Sequence, residues 1–498
     1  MIKLYPPSSR SSGTSEGFRS TEEEKISRHT KWGVKLHNTA TRKLEEFKPL
    51  KDKEVGIYSC GPTVYWNQHL GHMYAYIQWD TLVRFLKYMD FKVKWVMNIT
   101  DVGHLTSDED LGEDKMEKGA KREGLSVWQI AEKYIQQFEE SMTLLNIQKP
   151  DVLCRATEHV QEQIDLIKKI EANGFTYKTK TGLVFDTSKF ADYAKFAKLD
   201  LQKQKPGARV EVDLDKKTPG DFLLWVTNQL NHVMQWESPW GKGFPAWHIE
   251  CTAMSTKYLG EKFDIHTGGM EHIPVHHTNE IAQAFGAFGH QTATYWLHNG
   301  WLVFQGEKMA KSSGETILAT DLLKKGFNPM SFRYLVLTSH YRQGLNFTWE
   351  ALKGAQVAYQ KLINLVGEWK NDGEKTTSPE KVSKTDNFRD KFQEKLSHDL
   401  NTPEALAVVW EVVKSDIPTY DKLDLLLDFD QVLGLKLNEV KIKEIQIPEE
   451  INQLAKQREE LRKQGKWQEA DEMRKKIEDQ GWKVEDTPKG QKIISFNN

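Results

Sequence analysis

The chain has 498 residues, and its 69 Lys and Arg nearly balance 71 Asp and Glu, for a formal net charge of −2. That balance excludes a bulk polycation, so any nucleic acid must be met through local basic patches. Three cysteines cannot build a disulfide framework, and without an apolar run of about 18 residues no segment is expected to cross a membrane.

The length predicts several domains. Residues 1–31 are rich in Ser, Gly and Arg and are expected to form a disordered polar extension. They lack the apolar core of a secretory signal, and the acidic run at 22–24 speaks against a transit peptide.

From Trp32 to Asp114 apolar strands and a helix alternate. Val55–Ser59 reads as a strand, Met73–Met89 as a helix and Val93–Asn98 as a second strand. A β-α-β unit predicts a parallel, doubly wound, Rossmann-like α/β sheet that binds ligands at the strands' carboxyl ends. The joining stretch Ile57–His72, IYSCGPTVYWNQHLGH, holds a cysteine, a Gly-Pro turn and two histidines at a helix start. A helix N-terminus there can seat a phosphate, and a thiolate beside it can hold a metal.

Residues 115–245 read as an insertion, with helices at Val127–Leu145 and Glu158–Asn173 and a hairpin at Thr176–Asp186. Cys154 reads as structural. Residues 246–348 return to the sheet with AWHIECTAM, FDIHTGG and HHTNEIAQAF. On a helix His276 and Glu280 share one face, whereas His277 points about 100° away from its neighbour. By residue type alone, Cys60, Cys251, His276 and Glu280 suit a buried cysteine with a helix-face hydrogen bond as well as a metal. GEKMAKS, at 306–312, alone reads as a surface lysine loop. Helices are expected at Thr320-Asp321, after Asn328-Pro329 and from Trp349. Residues 370–386 read as a solvated linker, and Thr402-Pro403-Glu404 as another helix start. Pro448–Gln480 reads as one charged helix. GxxxxGK[ST] and GxGxxG are absent, so neither a P-loop nor a dinucleotide fingerprint is supported.

HLGH and KMAKS together resemble the HIGH and KMSKS signatures of class I aminoacyl-tRNA synthetases. CGPTVY, AWHIEC and the HHTNE run narrow the resemblance to cysteinyl-tRNA synthetases, over nearly the whole chain from Trp32. The resemblance implies a catalytic domain in two halves, 32–114 and 246–348, split by a connective peptide at 115–245. A helical bundle at 349–440 and a small tRNA-binding module at 441–498 would follow, with Trp467 and Trp482 as stacking candidates. It implies ATP-dependent ligation of L-cysteine to tRNA(Cys) through a cysteinyl-adenylate. His69, His72, Lys308 and Lys311 would be catalytic, and His69, Gly71, His72 and Lys311 would bind ATP, which arrives with Mg²⁺. Thr63, Thr100 and Trp247 would contact cysteine, although Trp247 equally suits a core indole. Cys60, Cys251, His276 and Glu280 would hold one Zn²⁺ that takes the substrate thiol, so no editing domain is expected. A cytoplasmic monomer is expected. The rival is a cysteine:amino-sugar ligase on the same catalytic half, which lacks the anticodon module.

The chain also departs from the family pattern. Thr267-Gly268-Gly269-Met270-Glu271 replaces the common Gly-Gly-Gly-Ser-Asp, Thr278 replaces an acidic residue, and His272 is extra. The family continues NITD with acidic residues and a lysine, where this chain has Val102-Gly103-His104.

Overall fold

The computed structural model describes residues 32–103, 114–198, 215–229, 232–304, 307–308, 316–370, 379–441, 447–487 and 490–495. Five parallel strands form its main sheet: β1 (Glu54–Ser59), β2 (Lys92–Ile99), β3 (Val152–Arg155), β4 (Phe263–Gly269) and β5 (Ala293–Asn299). They lie in the order β5-β4-β1-β2-β3, with Ile57 beside both Ile265 and Trp95. The strand order therefore reverses between β1 and β4, the place where a doubly wound sheet leaves a crevice.

Successive residues along each strand face opposite sides. Ile57, Trp95, Met97 and Ile265 belong to one buried cluster, while Tyr58, Val96, Cys154 and Trp296 belong to another. Both faces of the sheet are thus covered, so consecutive residues such as Ile57 and Tyr58 or Trp95 and Val96 are buried together rather than alternately. On the first side lies α1 (Leu70–Tyr88), which joins β1 to β2. Helices α2 (Lys115–Glu123) and α3 (Val127–Leu144) connect β2 to β3, and α4 (Val160–Ala172) follows β3. The other cluster takes Ile249 and Cys251 of α5 (Trp247–Leu259), which precedes β4, and Ile281 of α6 (Thr278–Phe288), which joins β4 to β5.

β3 was not expected from the sequence. Its four residues lie inside the stretch read as an insertion, yet Val152 pairs with Val96 and Arg155 with Ile99. What departs from the sheet begins after α4: the antiparallel strands Thr176–Lys178, Gly182–Phe185, Phe222–Thr227 and Gly243–Pro245. Cys154 is buried, its thiol 3.5 Å from the Met97 carbonyl.

Beyond β5 the chain is mainly helical, at Ala319–Lys324, Pro329–Leu337, Trp349–Trp369, Pro379–Ser397, Thr402–Lys414 and Thr419–Leu433. Asn328 caps the second of these by accepting from the Met330 amide at 2.9 Å, with Pro329 in the first turn. Part of the expected linker is helix, since Pro379–Ser397 runs through Asp386.

By contact density the chain divides into residues 1–440 and 441–498. In the second unit the expected single helix is two, Glu449–Lys463 and Trp467–Asp479, because Gly465 takes a left-handed turn at φ +74. A hairpin, Trp482–Thr487 with Gly490–Ser495, packs Val484 onto Ile451, Ala455 and Ile477. Arg458 donates to both carboxylate oxygens of Asp486 at 2.9 Å. Trp467 is exposed, whereas Trp482 is half-buried against that small core.

Candidate active site and metal centre

At the crevice between β1 and β4 lies a cavity of about 460 Å³. Cys60, Thr63, His69, Gly71, His72, Thr100, Trp247, Cys251 and His276 all line it. The turn after β1 is tight: a Cβ on Gly61 would stand 1.7 Å from the Asn98 carbonyl, so glycine alone fits. The Gly61 amide donates to the Asn98 side chain at 2.8 Å, which ties the two strand ends together. Thr100 sits deeper, donating to Glu250 at 3.0 Å and accepting from Asn98 Nδ2 at 3.0 Å.

The two histidines cap α1. His69 Nδ1 accepts from the Gly71 amide at 3.0 Å, and His72 Nδ1 accepts from the His69 amide at 3.2 Å. Their rings stack with centroids 3.8 Å apart. An imidazole nitrogen that accepts a hydrogen bond carries no proton, so a neutral ring must carry its proton on Nε2. Both histidines are thereby fixed as Nε2–H donors at a helix N-terminus.

Deeper in, the ligand atoms of Cys60, Cys251, His276 and Glu280 all lie within 4.8 Å of one another, and all four residues are buried. They come from the turn after β1, from α5, from the turn before α6 and from α6 itself. A second set, Cys60, His266, His277 and Glu280, meets the same limit. The structure differs from the helical reading at His277, whose Nε2 lies 3.3 Å from Cys60 Sγ. The cause is local: Ile273–His277 is a π-helical turn, which changes the angle between successive side chains.

The donor set fits a soft divalent ion. Glu280 Oε2 accepts from His266 Nε2 at 2.9 Å. Its Oε1, buried, lies 3.1 Å from His276 Nε2 but outside hydrogen-bond geometry. A carboxylate oxygen left so, beside two thiols and an imidazole, is suited to a metal. The charges agree. A hydrogen bond with Cys60 brings the Cys251 thiol down to about 7, whereas burial pushes Cys60 up. Burial opposes charge on Glu280, yet the positive potential of His266 and His276 holds its carboxyl well below the usual range. For His276 burial is likewise outweighed, by Glu280 and Cys251, and the imidazole rises to about 10. Burial keeps His277 and His298 low.

Comparison with known proteins agrees with this fold. Residues 46–357 match the family model for tRNA synthetases class I (C) catalytic domain, 446–493 the cysteinyl-tRNA ligase anticodon binding domain, and 391–415 the DALR domain. The chain is 43% identical to cysteine–tRNA ligase 1 of Burkholderia lata over 93% of its own length and 97% of that protein. The chain belongs to the cysteine–tRNA ligase family. It is also 44% identical to the Treponema denticola cysteine–tRNA ligase, over 91% of this chain and 98% of that one. The methionyl-tRNA synthetase of Mycobacterium tuberculosis, solved with methionyl-adenylate, has the same fold at TM-score 0.53 and 15% identity. That match covers 78% of this chain and 92% of the other.

Two lining residues of this cysteine–tRNA ligase family member escaped the sequence reading. Lys115 opens α2 and stands 5.5 Å over the Trp247 ring. It follows Asp114, whose carboxylate lies where a Gly103 side chain would be. The residues flanking 104–113 therefore meet. Asp114 also bonds His232 Nε2 at 2.9 Å. The second is Trp301, directly after β5. Lys308 pairs through its backbone with Val303, and Lys311 lies outside the described residues.

Proposed function

We propose that this chain ligates L-cysteine to tRNA(Cys) in two steps. The cysteine carboxylate attacks the α-phosphorus of ATP, an oxygen–phosphorus bond forms, and pyrophosphate leaves. The terminal ribose hydroxyl of the tRNA then attacks the carbonyl of the cysteinyl-adenylate and releases AMP. The observation that carries the reading is the convergence of Cys60, Cys251, His276 and Glu280 at a cavity that His69 and His72 also line.

His69 and His72 aim Nε2–H donors at phosphate oxygens, where negative charge accumulates in the transition state. Lys308 and Lys311 bring positive charge to the β- and γ-phosphates, with Mg²⁺ accompanying ATP. Gly71 lets a phosphate approach α1. Its Cβ would stand 2.8 Å from the His69 ring. Thr63, Thr100 and Trp247 shape the amino-acid end. Cys60, Cys251, His276 and Glu280 hold Zn²⁺. When bound, that ion supplies a Lewis acid that binds the substrate sulfur as thiolate, a partner serine's harder hydroxyl does not match. Selection at this step can exceed about 10⁴-fold without an editing site.

Residues 32–348 form the catalytic half with its insertion, 349–440 the helical bundle beside it, and 441–498 the module that meets tRNA. The enzyme works as a monomer in the cytoplasm. Among the described residues no helix is long and apolar enough to cross a membrane. The anticodon-domain match at 446–493 supports tRNA rather than an amino sugar as acceptor. The test is cysteine-dependent exchange of pyrophosphate into ATP without tRNA. Its absence from the metal-loaded protein would sink the reading.

A further inference from the structure

Three tryptophans among the described residues are largely exposed: Trp128, Trp301 and Trp467. Of these, Trp301 alone lines the cavity, with 41% of its surface open. A single exposed apolar side chain needs no explanation on its own. What distinguishes Trp301 is how firmly it is held.

Its carbonyl accepts from the Leu345 amide at 2.9 Å, and the preceding Gly300 amide donates to Tyr341 at 2.8 Å. Gly300 and Gly344 meet so closely that a Cβ on Gly300 would stand 2.5 Å from the Gly344 amide nitrogen. Gly344 has φ +78, and a Cβ there would stand 2.5 Å from the Trp301 carbonyl. Two glycines are thus needed to bring this backbone to the cavity. The indole Nε1 donates to Glu271 Oε2 at 2.8 Å, and Glu271 lines the same cavity just beyond β4. That bond lies in the ring plane and uses the polar edge. The rest of the indole is ring carbon.

Three indoles line the cavity; Trp79 is buried in the core, and the other two serve different ends. Trp247 lies within ring contact of His248, His272 and His276, at centroid distances of 5.3, 6.4 and 4.6 Å. It belongs to the metal end. Trp301 follows β5 and opens the segment that leads to KMAKS, so it belongs to the nucleotide end. A rigid aromatic plane there, in a cavity that offers phosphate donors from His69 and His72, matches a nucleobase. Bases stack on aromatic side chains through their own π-faces.

We propose that Trp301 is the stacking platform for an adenine ring in this cavity and that Glu271 is its positioning residue. The inference rests on the nucleotide reading of the cavity. Two adenines visit during the reaction, that of ATP and that of the tRNA terminus, and the experiment separates them.

Trp301→Leu keeps an apolar side chain but removes the π-face, Trp301→Phe keeps a smaller one, and Glu271→Ala frees the indole. Each full-length variant is titrated with ATP alone by calorimetry. Each is then assayed for pyrophosphate exchange and for tRNA charging at saturating ATP. Trp301→Leu is expected to weaken ATP about 5- to 150-fold in both Kd and KM, with the cysteine KM and metal content unchanged. Trp301→Phe should recover most of the loss, and Glu271→Ala should fall between. A raised tRNA KM with unaltered ATP binding also supports the platform and assigns it to the tRNA's adenine. If neither ATP nor tRNA changes by twofold, the proposal is overturned. Because ATP binding is read without cysteine, a wild-type protein that binds ATP but performs no exchange refutes the ligase reading and leaves this one to be judged on the titration.

Discussion

Cys60 Sγ lies 3.3 Å from His277 Nε2, and His277 Nδ1 lies 2.7 Å from His298 Nε2. This contact puts two candidate ligand sets around one cysteine and one glutamate. The set with Cys251 and His276 offers two thiols, the softer donors. Cys60, Cys251 and His276 also line the cavity, whereas His266 and His277 lie behind it. An ion that must meet a substrate sulfur has to face the cavity. Cys251→Ser and His276→Ala are therefore expected to purify with little zinc, and His277→Ala to keep it with about 10- to 100-fold weaker affinity, as for partners that orient a ligand. Elemental analysis after mild chelation reads this. Zinc lost from His277→Ala and retained by His276→Ala would assign the other set.

Metal affinity should fall with pH in a way the local charges specify. Ligands must lose their protons to bind. Burial keeps Cys60 protonated through neutrality, His276 titrates at about 10 and Cys251 at about 7. Near pH 8 binding displaces protons from Cys60 and His276, so affinity should rise about 100-fold per pH unit. Below pH 7 Cys251 is protonated as well, and the slope should steepen toward about 1000-fold. Competition with a chromophoric chelator between pH 6 and 8.5 measures this, and a flat profile would exclude two thiols and an imidazole as ligands.

This site is legible through the resemblance of its motifs, since by residue type alone the four ligand candidates and the lysine loop equally suit structural roles. CGPTVY, HLGH and HHTNE each carry their geometry within a turn, and the apolar runs of β1 and β2 declare a buried parallel sheet. What escaped depends on distant contacts. Val152–Arg155 is too short to stand out, and becomes a strand only because β2 offers an open edge. The π turn at Ile273–His277 leaves no mark in spacing, and it turns His277 toward Cys60. Lys115 was hidden because thirteen residues separate it from the NITD stretch. Gly465 was the one available signal for the break in the last charged helix, and a lone glycine is tolerated inside many helices.

His72 has two jobs that substitution can separate. It closes the cap of α1 through Nδ1 and presents Nε2–H to the cavity. His72→Ala should lower stability by about 0.5–2 kcal/mol, as for a lost cap, and slow exchange by about 10²–10³-fold, as for a lost transition-state donor. His72→Glu supplies an acceptor at the position where glutamate commonly reaches back to a cap amide, but offers phosphate a negative charge. It should recover stability without activity. Thermal melts beside exchange rates test the separation, and parallel recovery of both would show that only the cap matters.

Asp80 of α1 holds the guanidinium of Arg333 at 2.5 Å, with both side chains fully buried. Arg333 also donates to the carbonyls of Leu145, Asn146 and Leu433, and Asp80 accepts from Arg84 and the Gln148 amide. One ion pair therefore joins the helix that starts at His69 to the loop after α3 and to the end of the Thr419–Leu433 helix. Gly434, at φ +64, makes room for it, since a Cβ there would stand 2.7 Å from Arg333 Nη2. Removing one charge leaves the other buried and unpaired, which costs about 3–5 kcal/mol. Asp80→Ala is expected to lower the apparent melting temperature sharply and to weaken ATP use, because α1 carries the histidine cap. An apolar pair, Asp80→Leu with Arg333→Met, leaves no charge behind and should melt higher than Asp80→Ala. If the double variant melts no higher than the single one, the hydrogen bonds to the carbonyls, rather than the ion pair, hold these elements together.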